Sequence, residues 1–211
     1  MTNKGQILRL LNYKNLLKHL QSLGFKKVFS DNISDTLEIS SSLVRKDFGI
    51  FGITGNRKGG YDIDSILNKI DEILGKDEIQ RVIVIGVGRI GEALMSYQGF
   101  IKEGIQIVAG FDIDSKKINP NAQIPIYPID QMVDYINSNN IRICILSVPQ
   151  MVAKHTVDLL QNTTIGGILN FTPTKFQSTP EITINNINIV HELENLIYVV
   201  NKQKEKTNDK V

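Results

Sequence analysis

The stretch that most restricts the fold of this chain is Val82-Ile83-Val84-Ile85, which runs without a break into Gly86-Val87-Gly88-Arg89-Ile90-Gly91 and then Glu92-Ala93-Leu94. It reads as an apolar strand, a Gly-x-Gly-x-x-Gly turn and the start of a helix. Gly86 permits the tight turn, Gly88 leaves room for a pyrophosphate to approach the backbone, and Gly91 lets the helix pack on the strand. Val87, Arg89 and Ile90 complete the loop at the helix N-terminus. Such a loop predicts a second strand ending in an acid that accepts hydrogen bonds from a ribose diol. Ile105-Gln106-Ile107-Val108-Ala109-Gly110-Phe111-Asp112 meets that expectation, with the carboxylate 21 residues beyond Gly91. A tight turn without a ligand is the competing reading of the glycines alone. Strand, helix and acid in register favour a dinucleotide.

Strands expected at 82–86, 105–112, 124–127, 141–148 and 166–171 alternate with helices at 90–101, 129–138 and 150–161. That alternation predicts a Rossmann-like parallel sheet. After Pro173 and Pro180, a last strand over Ile187-Asn188-Ile189-Val190 leads to an amphipathic helix from His191 to about Gln203 and a charged tail expected to fray.

The N-terminal part has another character. Residues 4–23 carry leucines and isoleucines at helical spacing and stop at Gly24. A short helix over 31–39, the polar turn Ser40-Ser41-Ser42 and a second short helix over 43–48 make a helix-turn-helix. The serines cap the second helix, Val44 and Phe48 face inward, and Arg45 and Lys46 point away from them. Gly52 to Tyr61 is a glycine-rich basic loop that reads as a β-hairpin wing. Asp62 then caps an amphipathic helix over 63–74, stopped by Gly75, and Lys76-Asp77-Glu78 is a polar joint. The expected fold class is α/β: a winged helix-turn-helix over 1–77, a Rossmann-like domain over 78–180, and a C-terminal strand, helix and tail over 181–211.

Net charge is only +2, but it is segregated: residues 1–60 hold ten basic against four acidic side chains, the remainder fourteen against eighteen. A basic small domain on an acidic larger one predicts a polyanion partner for the first alone. Ser41, Ser42, Arg45 and Lys46 on the second helix of the motif, with Arg57 and Lys58 in the wing, are the candidate contacts to duplex DNA. A winged helix sets these two elements against a major groove and the neighbouring minor groove. Each basic side chain taken singly reads as a solvated surface charge; their concentration on these two elements favours DNA.

Hydrophobic content of 41% suits a soluble globular protein, and no apolar run approaches 18 residues, so a cytoplasmic protein without membrane contact is expected. His19, His155 and His191 are scattered, and the single Cys144 reads as a buried strand residue, so no metal site is expected.

The whole chain resembles the Rex family of redox-sensing transcriptional repressors. The matching stretches are Leu43-Val44-Arg45-Lys46-Asp47-Phe48, Phe51-Gly52, Arg57 with Gly60-Tyr61-Asp62, the Gly86 to Gly91 loop, Tyr97 with Gly99-Phe100, Phe111-Asp112-Ile113-Asp114, Val148-Pro149, and Gly167 to Pro173. The resemblance implies a homodimer that exchanges its C-terminal helix, binds a palindromic operator, and leaves DNA when NADH replaces NAD+. It also implies cofactor contacts at Tyr97, Asp114, Val148 and Pro149 beside the glycine loop and Asp112. The chain departs from the family at Gly49-Ile50, where Ser-Tyr is usual, and at Asn56 and Lys58 in the wing. Family members often pair an Arg on the first helix with an Asp ahead of the exchanged helix; the matching positions here are Asn15 and Asn188, with Tyr97 a further switch residue, so both switch charges are missing and a weakened redox response is expected.

The leading reading is an NAD(H)-responsive dimeric DNA-binding repressor with no catalytic residues. A constitutive DNA-binding paralogue, its Rossmann domain serving only dimerisation, is the first alternative. An NAD-dependent dehydrogenase using His155 and Lys154 is the second, and the absence of room for a substrate domain counts against it. Asp112 favours NAD over a 2′-phosphorylated cofactor, while Lys116 and Lys117 soften that preference.

Overall fold

The computed structural model describes residues 4–56, 59–75 and 78–208. The chain divides into two compact units, Met1–Glu78 and Ile79–Val211. In the first, α1 (Lys4–Ser22), β1 (Lys27–Val28), α2 (Ser30–Leu37), α3 (Ser41–Ile50), β2 (Tyr61–Asp62) and α4 (Ile63–Ile73) follow one another. Apolar side chains spaced three and four apart on the helices meet in one core, with Leu10, Tyr13, Leu17, Ile33, Val44, Phe48, Ile63, Ile66 and Ile70 all buried. Ser40 starts α3 by accepting the Leu43 N–H on its Oγ at 3.2 Å, and Asp62 starts α4 by accepting the Ser65 N–H at 2.9 Å. The two-residue strands β1 and β2 pair antiparallel, Lys27 opposite Asp62 and Val28 opposite Tyr61. The wing closes on an antiparallel bridge between Asn56 and Gly60. Arg57 and Lys58 lie outside the described residues.

α3 is held to α1 by a polar cluster inside this core. The Asp47 carboxylate, 1% exposed, accepts Arg9 Nε at 2.6 Å and Arg9 Nη2 at 2.8 Å, and Tyr13 Oη at 2.8 Å. Burial pushes the carboxyl pKa up, but the hydrogen bonds from Arg9 and Tyr13 and the Arg9 charge more than offset it, leaving the carboxyl below its ordinary range. Lys14, equally buried, pairs with Asp71 on α4.

The second unit is a six-stranded, all-parallel sheet in the order β5-β4-β3-β6-β7-β8, formed by β3 (Gln80–Ile85), β4 (Ile105–Asp112), β5 (Ile126–Pro128), β6 (Ile143–Leu146), β7 (Gly167–Asn170) and β8 (Thr183–Asn186). Helices α5 (Arg89–Met95), α6 (Gly99–Lys102), α7 (Met132–Ser138, entered through a 3-10 turn at Ile129–Gln131) and α8 (Gln150–Leu160) connect the strands, and α9 (Ile189–Asn208) ends the unit. The strands are apolar because both faces are covered: Ile83, Ile85, Phe111 and Leu146 are buried in one layer, Val82, Val84, Ile107 and Ile145 in the other. Cys144 is a fully buried member of the first layer, and burial drives its thiol pKa well above the ordinary value.

Two expectations need correction, and a third point was not anticipated. Residues 187–190 are not a strand: Thr183–Asn186 pairs with β7 instead, and Asn188 Oδ1 accepts the N–H groups of Val190 at 3.0 Å and His191 at 3.2 Å. A side-chain cap thus turns a β-branched run into the first turn of α9, which begins at Ile189 rather than His191. The helix expected over 90–101 is two helices, because Ser96 to Gln98 turn the chain and the Tyr97 ring fills the space above Gly99. The third is an omission: β1 is too short for any alternation pattern to declare it.

Candidate cofactor pocket and nucleic-acid interface

Strand order reverses direction between β3 and β6, and in an open parallel sheet the crevice beyond the strand ends at such a point is where ligands bind. β3 delivers Gly86 to this point, and β6 delivers Ser147, Val148 and Pro149. Gly86 N–H donates to Phe111 O at 2.8 Å and Ser147 N–H to Ile85 O at 2.8 Å, while Ser147 Oγ donates to Gly86 O at 2.7 Å.

The three glycines of the loop are required for different reasons. Gly86 has φ +88, and a β-carbon there would sit 2.7 Å from Ser147 O. A β-carbon on Gly91 would run into the Gly86 carbonyl oxygen. Gly88 has φ −82 and ψ −167, which any residue adopts, and its β-carbon would meet nothing within 4 Å. The fold therefore requires the first and third glycines. The second leaves an open cradle that a β-carbon would fill.

That cradle opens on a cavity of about 970 Å³, of the size that takes a cofactor. Gly86, Gly88, Arg89 and Ile90 form one side, Phe111, Asp112, Ile113 and Lys117 a second, and Val148, Pro149, Val152, His155, Thr156, Phe171 and Pro173 much of the rest. The lining is chiefly apolar, with a few charged and polar side chains among it. Asp112, 8% exposed, accepts the Val87 N–H on Oδ2 at 2.7 Å and the Asp114 N–H on Oδ1 at 2.9 Å, with Lys117 Nζ 3.5 Å from Oδ2. The carboxylate thus ties the glycine loop to the end of β4 as well as facing the cavity; Oδ2 accepts from both Val87 and Lys117, while Oδ1, with a single partner, keeps a lone pair for a ribose hydroxyl. Asp112→Ala is expected to weaken NADH binding about tenfold or more, the scale of losing charge-assisted hydrogen bonds, and to narrow the NADH:NADPH affinity ratio; fluorescence titration with both nucleotides measures both effects.

Of the residues expected at the cofactor, Gly86, Gly88, Arg89, Ile90, Asp112, Val148 and Pro149 come together on the cavity wall. Val87 and Gly91 are not on the lining: the Val87 N–H donates to Asp112 Oδ2, and Gly91 packs close to the Gly86 carbonyl. Asp114 and Tyr97 are not on the lining: Asp114 Oδ1 accepts the Lys116 N–H at 3.0 Å, and Tyr97, 60% exposed, stacks edge-on against Phe100. The cavity wall also holds Lys117, which the sequence already sets beside the cofactor's ribose, and Thr156 and Phe171, which it does not single out as cofactor contacts. The signal for Phe171 was its place directly after β7, the strand end facing the same crevice; Thr156 carries no such mark.

In the first unit, Arg45 and Lys46 are exposed on α3, and Arg45 Nη1 donates to Ser30 Oγ at 2.9 Å. Ser42 is exposed and Ser41 half-buried in the first turn of α3. Asn15 is exposed on α1, and Asn188, half-buried, is committed to capping α9. Along α9, Leu193, Leu196, Ile197 and Val200 stand three, four and seven apart and are all exposed.

Residues 77–174 match a family model described as CoA binding domain. Over nearly the full chain the sequence is 33% identical to the redox-sensing transcriptional repressor Rex 1 of Enterococcus faecalis (203 residues, 96% of this chain and 94% of that protein). It is 36% identical to the redox-sensing transcriptional repressor Rex of Listeria monocytogenes (200 residues, 94% and 93%). The structure superposes on RSP in complex with β-NAD+ and operator DNA with a TM-score of 0.90 at 27% identity, covering 100% of this chain and 97% of that one. On RSP in complex with β-NADH the TM-score is 0.87 at 27% identity, covering 99% and 98%.

Proposed function

The chain belongs to the Rex family of redox-sensing transcriptional repressors, and we propose that it binds a palindromic DNA operator as a homodimer and reports the NADH/NAD+ ratio to it. In this reading residues 1–77 are the DNA-binding domain, 78–180 hold the cofactor, and 181–211 contribute the helix that the two protomers exchange, in the cytoplasm and away from membranes. The observation that carries it is Gly88: a glycine the fold does not need, opening on a cavity at the sheet's switch point. Asp112 at the end of β4 favours a ribose with free hydroxyls over one bearing a phosphate, which supports NAD(H) over NADPH or CoA. Val87, Arg89 and Ile90 would hold the pyrophosphate side, Val148 and Pro149 the opposite wall; Tyr97 and Asp114 would act from outside the cavity. We assign the pocket to sensing rather than turnover, since the relatives that span this chain are repressors.

NADH fluorescence titration together with operator footprinting tests the proposal: a specific footprint weakened by NADH is expected, and no NADH binding, or a footprint indifferent to it, would overturn the redox reading. Operator affinity should fall by about 0.9 log units per log unit of salt for each phosphate neutralised. Arg45→Ala is expected to cost about 1–3 kcal/mol of operator binding and to relax base preference at one position per half-site; an equal loss on all sequences would reduce Arg45 to a phosphate contact. Because Asn15 and Asn188 replace the family's charged switch pair, NADH is expected to release the operator incompletely.

The exposed apolar stripe of α9 supports the dimer: Leu193, Leu196, Ile197 and Val200 would be covered by a second copy. Sedimentation at micromolar concentration should report a dimer for the full chain and a monomer for a chain ended before Ile189. A full-length monomer would remove this part of the proposal.

A further inference from the structure

Position 29 breaks a local rule. It is the N-cap of α2, where Ser, Thr, Asp or Asn satisfies an orphan backbone donor, yet it is phenylalanine, whose ring can accept nothing of that kind. The cap is half made: Asn32 Oδ1 accepts the Phe29 N–H at 3.1 Å, and no side chain answers from position 29. The ring is also 45% exposed. An exposed aromatic at a position that favours a small polar residue loses stability twice, and such inconsistencies in natural chains cluster where a surface works.

Its surroundings say which surface. Lys27 and Phe29 flank the buried Val28, so both project from the outer face of β1. The Lys27 ammonium lies 3.8 Å from where a β-carbon on Gly59 would be, and the Phe29 ring 3.3 Å from where one on Gly60 would be. Both side chains therefore lean on the base of the wing. On the other side, Ser30 accepts the hydrogen bond from Arg45 of α3. Phe29 thus sits between the wing and the helix that carries Arg45, the two elements assigned above to DNA, with a basic residue on each side.

We propose that Phe29 packs its ring against the deoxyribose edges of the operator duplex between the wing and α3, adding an apolar contact to an otherwise ionic interface. The inference rests on the DNA-binding reading of this unit. Minor-groove proteins use apolar side chains, phenylalanine among them, to contact duplex DNA, there as wedges between base steps, and an apolar contact neutralises no phosphate. Its signature is a loss of affinity with an unchanged salt slope.

Phe29→Ser provides the test, because serine supplies the missing cap while removing the ring. Operator affinity is expected to fall about tenfold, the scale for returning roughly half a phenyl ring to water. The salt slope and NADH affinity should be unchanged, and the melting temperature equal to or above that of the wild type. Phe29→Leu should retain most of the affinity. Unchanged or tighter operator binding by Phe29→Ser would overturn the inference, as would a loss accompanied by a changed salt slope or a lowered melting temperature. If the wild-type protein footprints no duplex at all, the DNA-binding reading fails first and takes this inference with it.

Discussion

Gly88→Val is expected to abolish NADH binding, by about 100-fold or more, while the protein stays folded. The two halves of that expectation come from the same geometry. Backbone angles of −82 and −167 at position 88 are open to any residue, and a β-carbon there meets nothing within 4 Å, so valine adds no strain. Its methyl groups instead occupy the cradle from which loop N–H groups reach a pyrophosphate, and each charge-assisted hydrogen bond lost there removes about 1.5–3 kcal/mol. Gly86→Ala and Gly91→Ala should behave differently. Their β-carbons collide with the backbone at Ser147 and Gly86, so both variants are expected to lose thermal stability along with affinity. NADH fluorescence titration beside thermal unfolding separates the cases. Normal NADH binding by Gly88→Val would make the loop a structural turn and nothing more.

Asp47→Ala is expected to destabilise the N-terminal unit by about 2–3 kcal/mol, because Arg9 and Tyr13 lose a shared charged acceptor inside the core. Arg9 remains 29% exposed, so water takes up part of its charge, and the effect stays below that of a wholly buried pair. For a unit of this size each kcal/mol moves the midpoint by about 4–8 °C, a shift that calorimetry resolves. Operator binding should fall with it, since Asp47 fixes α3 to α1, while NADH binding in the second unit should persist. The same carboxylate sets an acid limit. Its folded-state pKa is depressed, so its contribution is complete above the unfolded pKa of about 3.9 and is lost as pH falls through the lower folded value. The first unit of the wild type should therefore lose stability below about pH 4 more steeply than that of Asp47→Ala; parallel pH profiles would show that Asp47 is not the responsible group.

Much of this was legible in the chain because it depends on neighbours in sequence. The strand, the glycine turn and the following helix, the strand–helix alternation of the second unit, and the inward pair Val44 and Phe48 are all short-range patterns, and the structure contains each of them. Asp47 carried a readable sign as well: it lies three residues beyond Val44 and one before Phe48, on the buried face of α3, a position where a carboxylate needs a partner. What could not be read was the partner, since Arg9 stands 38 residues earlier and nothing local ties the two.

The same boundary separates the rest. Local sequence determined most element types, the order of the two units and the glycine loop, because backbone conformation, caps and hydrophobic periodicity act over a few residues. Tertiary structure alone decided that Thr183–Asn186, rather than the more β-prone Ile187–Val190, takes the sheet edge beside β7, since strand pairing is a contest between segments for one set of hydrogen bonds. It alone brought Lys117, Thr156 and Phe171 to one cavity from a loop, a helix and a strand end. It also supplied the physical ground for the separate roles the motif gives its three glycines, because only the packed backbone shows that Gly86 and Gly91 face carbonyl oxygens and Gly88 faces open space.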